Sequence, residues 1–270
     1  MTGALMLAAG LALATPRDES AASLKSALAA LDLPIEVIPA TTPRAFLVLV
    51  TGDGGWSHLD AAVAAQLAED GVSTVGLNAL RYFWQERQVE NAADDLLKIL
   101  REVARERLPI FVGGYSFGAE VVPVLLDRPL FTRESLSGII LFAPGPYASF
   151  EVHLSDWLRT KEKPTPHKVL DHLAALAGWP VLCLAPEKDE ESICPALAGK
   201  ERREVVLLPG GHHFAGDYER LGREAARFIG AILPPGSQPE STPATAPPGA
   251  RTGTQTAPSP DGAGPQPGPP

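Results

Sequence analysis

Gly114-Tyr115-Ser116-Phe117-Gly118 holds a serine between two glycines, the spacing at which a hydroxyl nucleophile is presented on a sharp turn. The glycines remove side chains that would clash where a strand reverses into a helix. A serine at such a turn stands at a helix N-terminus, whose dipole favours a developing oxyanion. The bland alternative is a serine in a tight glycine turn. The flanks favour the nucleophile: "LPIFV" before the motif reads as a strand, and "FGAEVVPVLL" within and after it opens a helix.

A serine nucleophile needs a base, and the base needs an orienting acid. "LLPGGHHFAGDYERL" supplies His212 and His213 between a strand and the closing helix. The Gly-His-x-Phe pattern favours His212 as the base, with His213 as the alternative. Adjacent histidines point in different directions and no third ligand accompanies them, so no metal site is expected. "WPVLCLAPEKDEESICP" supplies Glu187, Asp189, Glu190 and Glu191 just past a strand. Asp189 is the expected acid, Glu191 the alternative, and the remaining carboxylates read as a solvated loop. The oxyanion would take the N–H of Phe117 and that of Asp53 or Gly54, from the glycine-rich loop "VTGDGGW" at 50–56. That loop also reads as a tight turn with Ser57 as a helix N-cap. A carboxylate at Asp53 opposes charge developing on an oxyanion. It makes sense if it pairs with a substrate cation or turns away to cap backbone N–H groups.

These residues must be carried by ordered elements. Apolar runs read as strands at 34–40, 45–52, 72–80, 109–115, 136–144, 179–186 and 203–210. Helical spacing covers 57–70, 89–107, 117–127, about 167–177, and 218–233. In the 89–107 helix Ala92, Leu96, Ile99, Leu100 and Val103 share one face. The alternation predicts an α/β protein, a mostly parallel sheet with helices on both faces, and the order Ser, acid, His suits the α/β-hydrolase fold. A small cap insertion is expected around 145–177. Ligands in such folds sit at the carboxyl ends of the strands.

The net charge of −9 argues against a nucleic-acid partner, which normally meets a basic face. No cofactor is expected. Residues 1–14, "MTGALMLAAGLALA", carry no charged side chain and fit the apolar core of a secretory signal, with "ALA" as the cleavage site; the basic n-region is missing. In an exported protein Cys183 and Cys194 read most simply as a disulfide, and otherwise as two buried thiols. Residues 234–270, rich in proline and glycine and without aromatics, are expected to be disordered. The globular domain is then 15–233.

"TGDGGW", "ALRYFW", "GYSFGAEVVP", "FEVHLSDWL", the cysteine pair with acids between, and "PGGHHFAGDY" occur in one order. Together they resemble the bacterial virulence family of VirJ and the C-terminal domain of AcvB, over roughly residues 34–233. The resemblance implies a periplasmic α/β-hydrolase. AcvB is associated with hydrolysis of lysyl-phosphatidylglycerol, and VirJ with type IV secretion. Ser116, Asp189 and one of His212 and His213 match the family's serine, acid and base. The implied partners are a lipid substrate at the membrane surface and type IV secretion components. On that reading Asp53 and Glu151 would hold the lysyl ammonium groups, and Trp56, Tyr115 and His153 would also meet substrate. Phe83, Trp84, Phe150 and Trp157 would face lipid, or else pack in the core, the commoner fate of any one aromatic. The alternatives are a generic serine esterase, thioesterase or acyltransferase, and a periplasmic adaptor that keeps the serine turn as a relic.

Overall fold

The six residues Ala45–Val50 are apolar without exception and form strand β2, buried on both faces at the centre of a sheet. In the computed structural model, which describes residues 16–132, 135–152 and 165–234, seven strands are arranged in the order β1-β3-β2-β4-β5-β6-β7. They are β1 (Ile35–Ile38), β2, β3 (Val72–Leu77), β4 (Ile110–Tyr115), β5 (Gly138–Phe142), β6 (Val181–Pro186) and β7 (Arg203–Leu208). All pairings are parallel except β1 with β3.

The period-two geometry of a strand divides the core in two. In β2, Phe46, Val48 and Val50 join one core, with α1 (Pro16–Ala29), α4 (Val89–Ala104) and α5 (Phe117–Leu126). Ala45, Leu47 and Leu49 join the other, covered by α2 (His58–Glu69) and α7 (Tyr218–Ile232). The predicted face of α4 is buried at all five positions. Helices on both faces of a mostly parallel sheet are therefore as the alternation predicts.

Two local differences have physical reasons. The sequence reading had no element at α1, whose apolar stripe onto the core is short: Leu24 and Leu28, one turn apart, are its buried anchors. The strand expected over 72–80 ends at Leu77, because the Asn78 side chain accepts the N–H of Arg81 and starts the short helix α3 (Ala79–Tyr82). The expected cap insertion is described only in part. It includes α6 (Val169–Ala175) and a bridge between Tyr147 and Lys168. His153 and Trp157, the signal-like residues 1–14, and the tail beyond 234 lie outside the described residues. Among the described residues, no helix is long and apolar enough to cross a membrane.

Candidate active site

β4 ends at Tyr115, and the chain turns at once into α5. Ser116 carries the turn at φ +50°, ψ −117°, a conformation that side chains rarely adopt. Its N–H donates to the Phe142 carbonyl at the end of β5 (2.9 Å), and its carbonyl accepts the N–H of Glu120 (3.1 Å). The turn needs both glycines. A Cβ on Gly114 would lie 2.2 Å from the Gly118 carbonyl, and one on Gly118 would lie 2.0 Å from the Val50 carbonyl oxygen. The helix therefore rests directly on the end of β2.

The loop after β7 brings the base. Gly210 (φ +106°), Phe214 (+51°) and Ala215 (+53°) all have left-handed backbone, and the buried Phe214 ring anchors the loop to the α2/α7 core. His212 Nε2 lies 2.7 Å from Ser116 Oγ, and His212 Nδ1 lies 2.8 Å from Asp189 Oδ2. A carboxylate on Nδ1 requires a proton there, which leaves Nε2 to accept the serine hydrogen. The Asp189 side chain is 13 % exposed and that of His212 is 42 % exposed, so the acid is sheltered while the base is open to an incoming substrate.

Asp189 is held on several sides. Its N–H donates to the Pro186 carbonyl (3.2 Å), and its Oδ1 accepts the N–H of Glu191 (3.2 Å). Lys188 N–H donates to the Gly210 carbonyl (3.0 Å), joining the acid loop to the histidine loop. Glu191 thus supports Asp189 through its backbone, and Asp189 is the carboxylate on His212. Cys183 on β6 is disulfide-bonded to Cys194, closing the loop that contains Asp189. Replacing both cysteines by alanine is expected to lower unfolding stability by about 3 kcal/mol, the loop-closure value for a bridge of this span. Denaturant unfolding of the variant checks this; an unchanged midpoint would mean that the bridge contributes nothing.

Trp56, expected to meet substrate, is half-buried, and its ring lies over Gly76 of β3, where a Cβ would come within 2.1 Å of it; the missing side chain makes room for the indole. Tyr115 departs from the expectation that it meets substrate. It is buried, packs against Gly52, and its hydroxyl lies 3.0 Å from His213 Nδ1 and 3.4 Å from the His212 carbonyl. Burial pushes its phenol well above the usual range, and Tyr218 and the carboxylates of Asp60, Asp53 and Asp189 push the same way, so the proton stays on. His213 turns to this hydroxyl while His212 takes both Ser116 and Asp189. The parity of β4 was the available signal for Tyr115: it shares a face with Phe111, toward α7 and the histidine loop.

Phe83 and Phe150 are buried and meet edge to face at 5.9 Å, and Phe83 meets Phe117 at 5.1 Å, so both pack in the core. Trp84 is exposed. Glu151 is half-buried beside Phe150. Asp53 is half-buried and Gly54 exposed in the loop after β2. The loop turns through the Gly55 N–H, which donates to the Gly52 carbonyl (3.0 Å). Ser57 precedes α2, and its N–H and hydroxyl both donate to Asp60 Oδ2 (2.9 and 2.6 Å). Burial raises the Asp60 pKa, and these two hydrogen bonds oppose that rise.

No curated protein matches the chain by sequence. Among solved structures the fold is similar to TT1662 from Thermus thermophilus, at 20% identity and TM-score 0.56 over 75% of this chain and 94% of that one. It is also similar to dienelactone hydrolase from Anabaena variabilis, at 16% identity and TM-score 0.56 over 74% and 92%. A third likeness is monoglyceride lipase from Saccharomyces cerevisiae, at 11% identity and TM-score 0.54 over 74% and 92%. At these identities the likeness concerns the fold, which is that of the α/β-hydrolases. The family model of the bacterial virulence protein VirJ matches residues 44–230, a span that holds the serine turn, the acid loop and the histidine loop, and the chain belongs to the VirJ family.

Proposed function

We propose that this protein is a serine ester hydrolase of the periplasm, and that its substrate is an aminoacylated phospholipid, lysyl-phosphatidylglycerol. The observation that carries the reading is the continuous hydrogen-bonded path Ser116–His212–Asp189 on a strained strand-to-helix turn. Ser116 Oγ attacks the lysyl carbonyl as His212 Nε2 takes its proton. The N–H groups of Phe117 and of Asp53 or Gly54 receive the oxyanion. The glycerol oxygen leaves with the proton from His212, and lysyl-serine remains. Water, deprotonated by His212, then releases lysine and restores Ser116. Asp189 stays ionised and holds the imidazolium.

Substrate choice follows from charge. The lysyl group carries two ammonium groups, and Asp53 and Glu151 are the carboxylates assigned to them. The disulfide suits an oxidising compartment, which supports the periplasm. Type IV secretion components, implied by the resemblance, stand as candidate protein partners.

The test is labelling by a fluorophosphonate probe, followed by lysine release from vesicles containing lysyl-phosphatidylglycerol. Wild type is expected to label and to release lysine, and Ser116→Ala to do neither. Lysine release that survives Ser116→Ala overturns the mechanism. Faster turnover of soluble esters than of the lysyl lipid overturns the substrate and leaves a general esterase. Partner binding without any labelling leaves an adaptor.

A further inference from the structure

The Tyr115 hydroxyl has one hydrogen and two neighbours, His213 Nδ1 at 3.0 Å and the His212 carbonyl at 3.4 Å. If the phenol donated to Nδ1, its contact with the carbonyl would set two acceptors against each other. One order satisfies both contacts: His213 Nδ1–H donates to the phenol oxygen, and the phenol O–H donates to the carbonyl. The order assigns the tautomer of His213 from the network. It also gives a purpose to a second histidine that meets neither Ser116 nor Asp189.

We propose that Tyr115 and His213 form a clamp on the backbone of the base, with Tyr115 as a positioning residue for His212. The proposal rests on the serine-hydrolase reading above. Tyr115 is well placed for the task. It is the last residue of β4 and directly precedes Ser116, so its backbone moves with the nucleophile. Its ring packs on Gly52 in the glycine loop, and it lies tilted at 34° to the His212 imidazole with centroids 5.7 Å apart. One side chain thus spans the strand that carries the serine, the glycine loop and the loop that carries the base.

The histidine loop has reason to need such a tie. The His212 side chain is 42 % exposed, and the left-handed residues Phe214 and Ala215 follow close behind it. Phe214 anchors the loop on the far side of His213. Without the clamp, the His212 carbonyl loses its link to β4. The imidazole then samples positions away from Ser116 Oγ, and misplacement on the order of 1 Å can cost about 100-fold in rate.

The test measures fluorophosphonate labelling of the whole chain as a saturable reaction, giving an inactivation rate constant and an apparent binding constant. Tyr115→Phe keeps the ring on Gly52 and removes only the hydroxyl. It is expected to slow inactivation roughly 10- to 100-fold while leaving apparent binding and the unfolding midpoint close to wild type. His213→Ala is expected to shift the rate the same way but less. His213→Asn, whose amide N–H can stand in for Nδ1–H, is expected to recover part of the loss. The double variant Tyr115→Phe/His213→Ala is expected to be no slower than Tyr115→Phe alone, because both act through one path. Tyr115→Phe that labels at the wild-type rate overturns the clamp. So does a loss confined to the labelable fraction or the midpoint with an unchanged rate constant, since that is a purely structural role. A wild type that fails to label overturns the hydrolase reading itself, and that result is in hand before any variant is compared.

Discussion

His212→Ala is expected to lower ester turnover roughly 10⁶-fold, the scale at which serine hydrolases respond to loss of the base. Nothing else in the described site can replace it. His212 makes both bonds of the path, 2.7 Å to Ser116 Oγ and 2.8 Å to Asp189 Oδ2. His213 is next in sequence, but its Nδ1 faces Tyr115 and its position on the chain turns it away from the serine. His213→Ala is therefore expected to stay within roughly 100-fold of wild type, because it disturbs alignment and leaves the base in place. Adding Ser116→Ala to His212→Ala should cost little more, since the two residues act as a unit. Steady-state turnover of one activated ester by the three variants checks all of this. Comparable losses from His212→Ala and His213→Ala would sink the assignment.

Much of this site was legible because its parts are tied to particular chain geometries. A serine between glycines after a strand has few other uses, and the structure places Ser116 on that turn with both glycines in close contact with neighbouring backbone. The order of strands and helices followed from apolar runs and helical spacing, which depend on local chemistry. Residue choice within a cluster was less legible. Asp189 and Glu191 lie in one acidic run, and only the backbone of the loop decides which carboxylate reaches the imidazole; Glu191 instead donates its N–H to Asp189. His212 and His213 are adjacent and point in different directions, and only the backbone of their loop decides that His212 meets Ser116 and Asp189 while His213 meets the Tyr115 hydroxyl. The packing of Trp56 and Tyr115 is illegible for another reason: the Trp56 ring rests on Gly76 of β3 and the Tyr115 ring on Gly52 of the loop after β2, contacts between residues far apart in sequence that only the pairing of neighbouring strands brings together. The helix α1 went unread because two leucines one turn apart are too short a stripe to stand out.

Gly118→Ala is expected to destabilise the fold by more than about 4 kcal/mol, the range reserved for changes that break a packed contact outright. The new Cβ would sit 2.0 Å from the Val50 carbonyl oxygen and 2.6 Å from that of Thr51. Val50 ends β2 and Thr51 follows it directly, and β2 is paired on both sides, with β3 and with β4, so the strand has nowhere to retreat. The helix must lift instead, and α5 packs against α4 and α6 in the same core. Gly54→Ala is the matched control: no atom lies within 4 Å of its Cβ, so its stability is expected to stay within roughly 0.5 kcal/mol of wild type. Denaturant unfolding of both variants, or the soluble fraction if Gly118→Ala does not accumulate, checks the pair. The result bears on function as well as folding. Ser116 caps the first turn of α5, so lifting the helix draws the hydroxyl away from a histidine that is held by a separate loop. Any folded Gly118→Ala protein should therefore label slowly for its amount. A variant that unfolds near the wild-type midpoint and labels at the wild-type rate would show that α5 does not rest on β2 as closely as its glycines require.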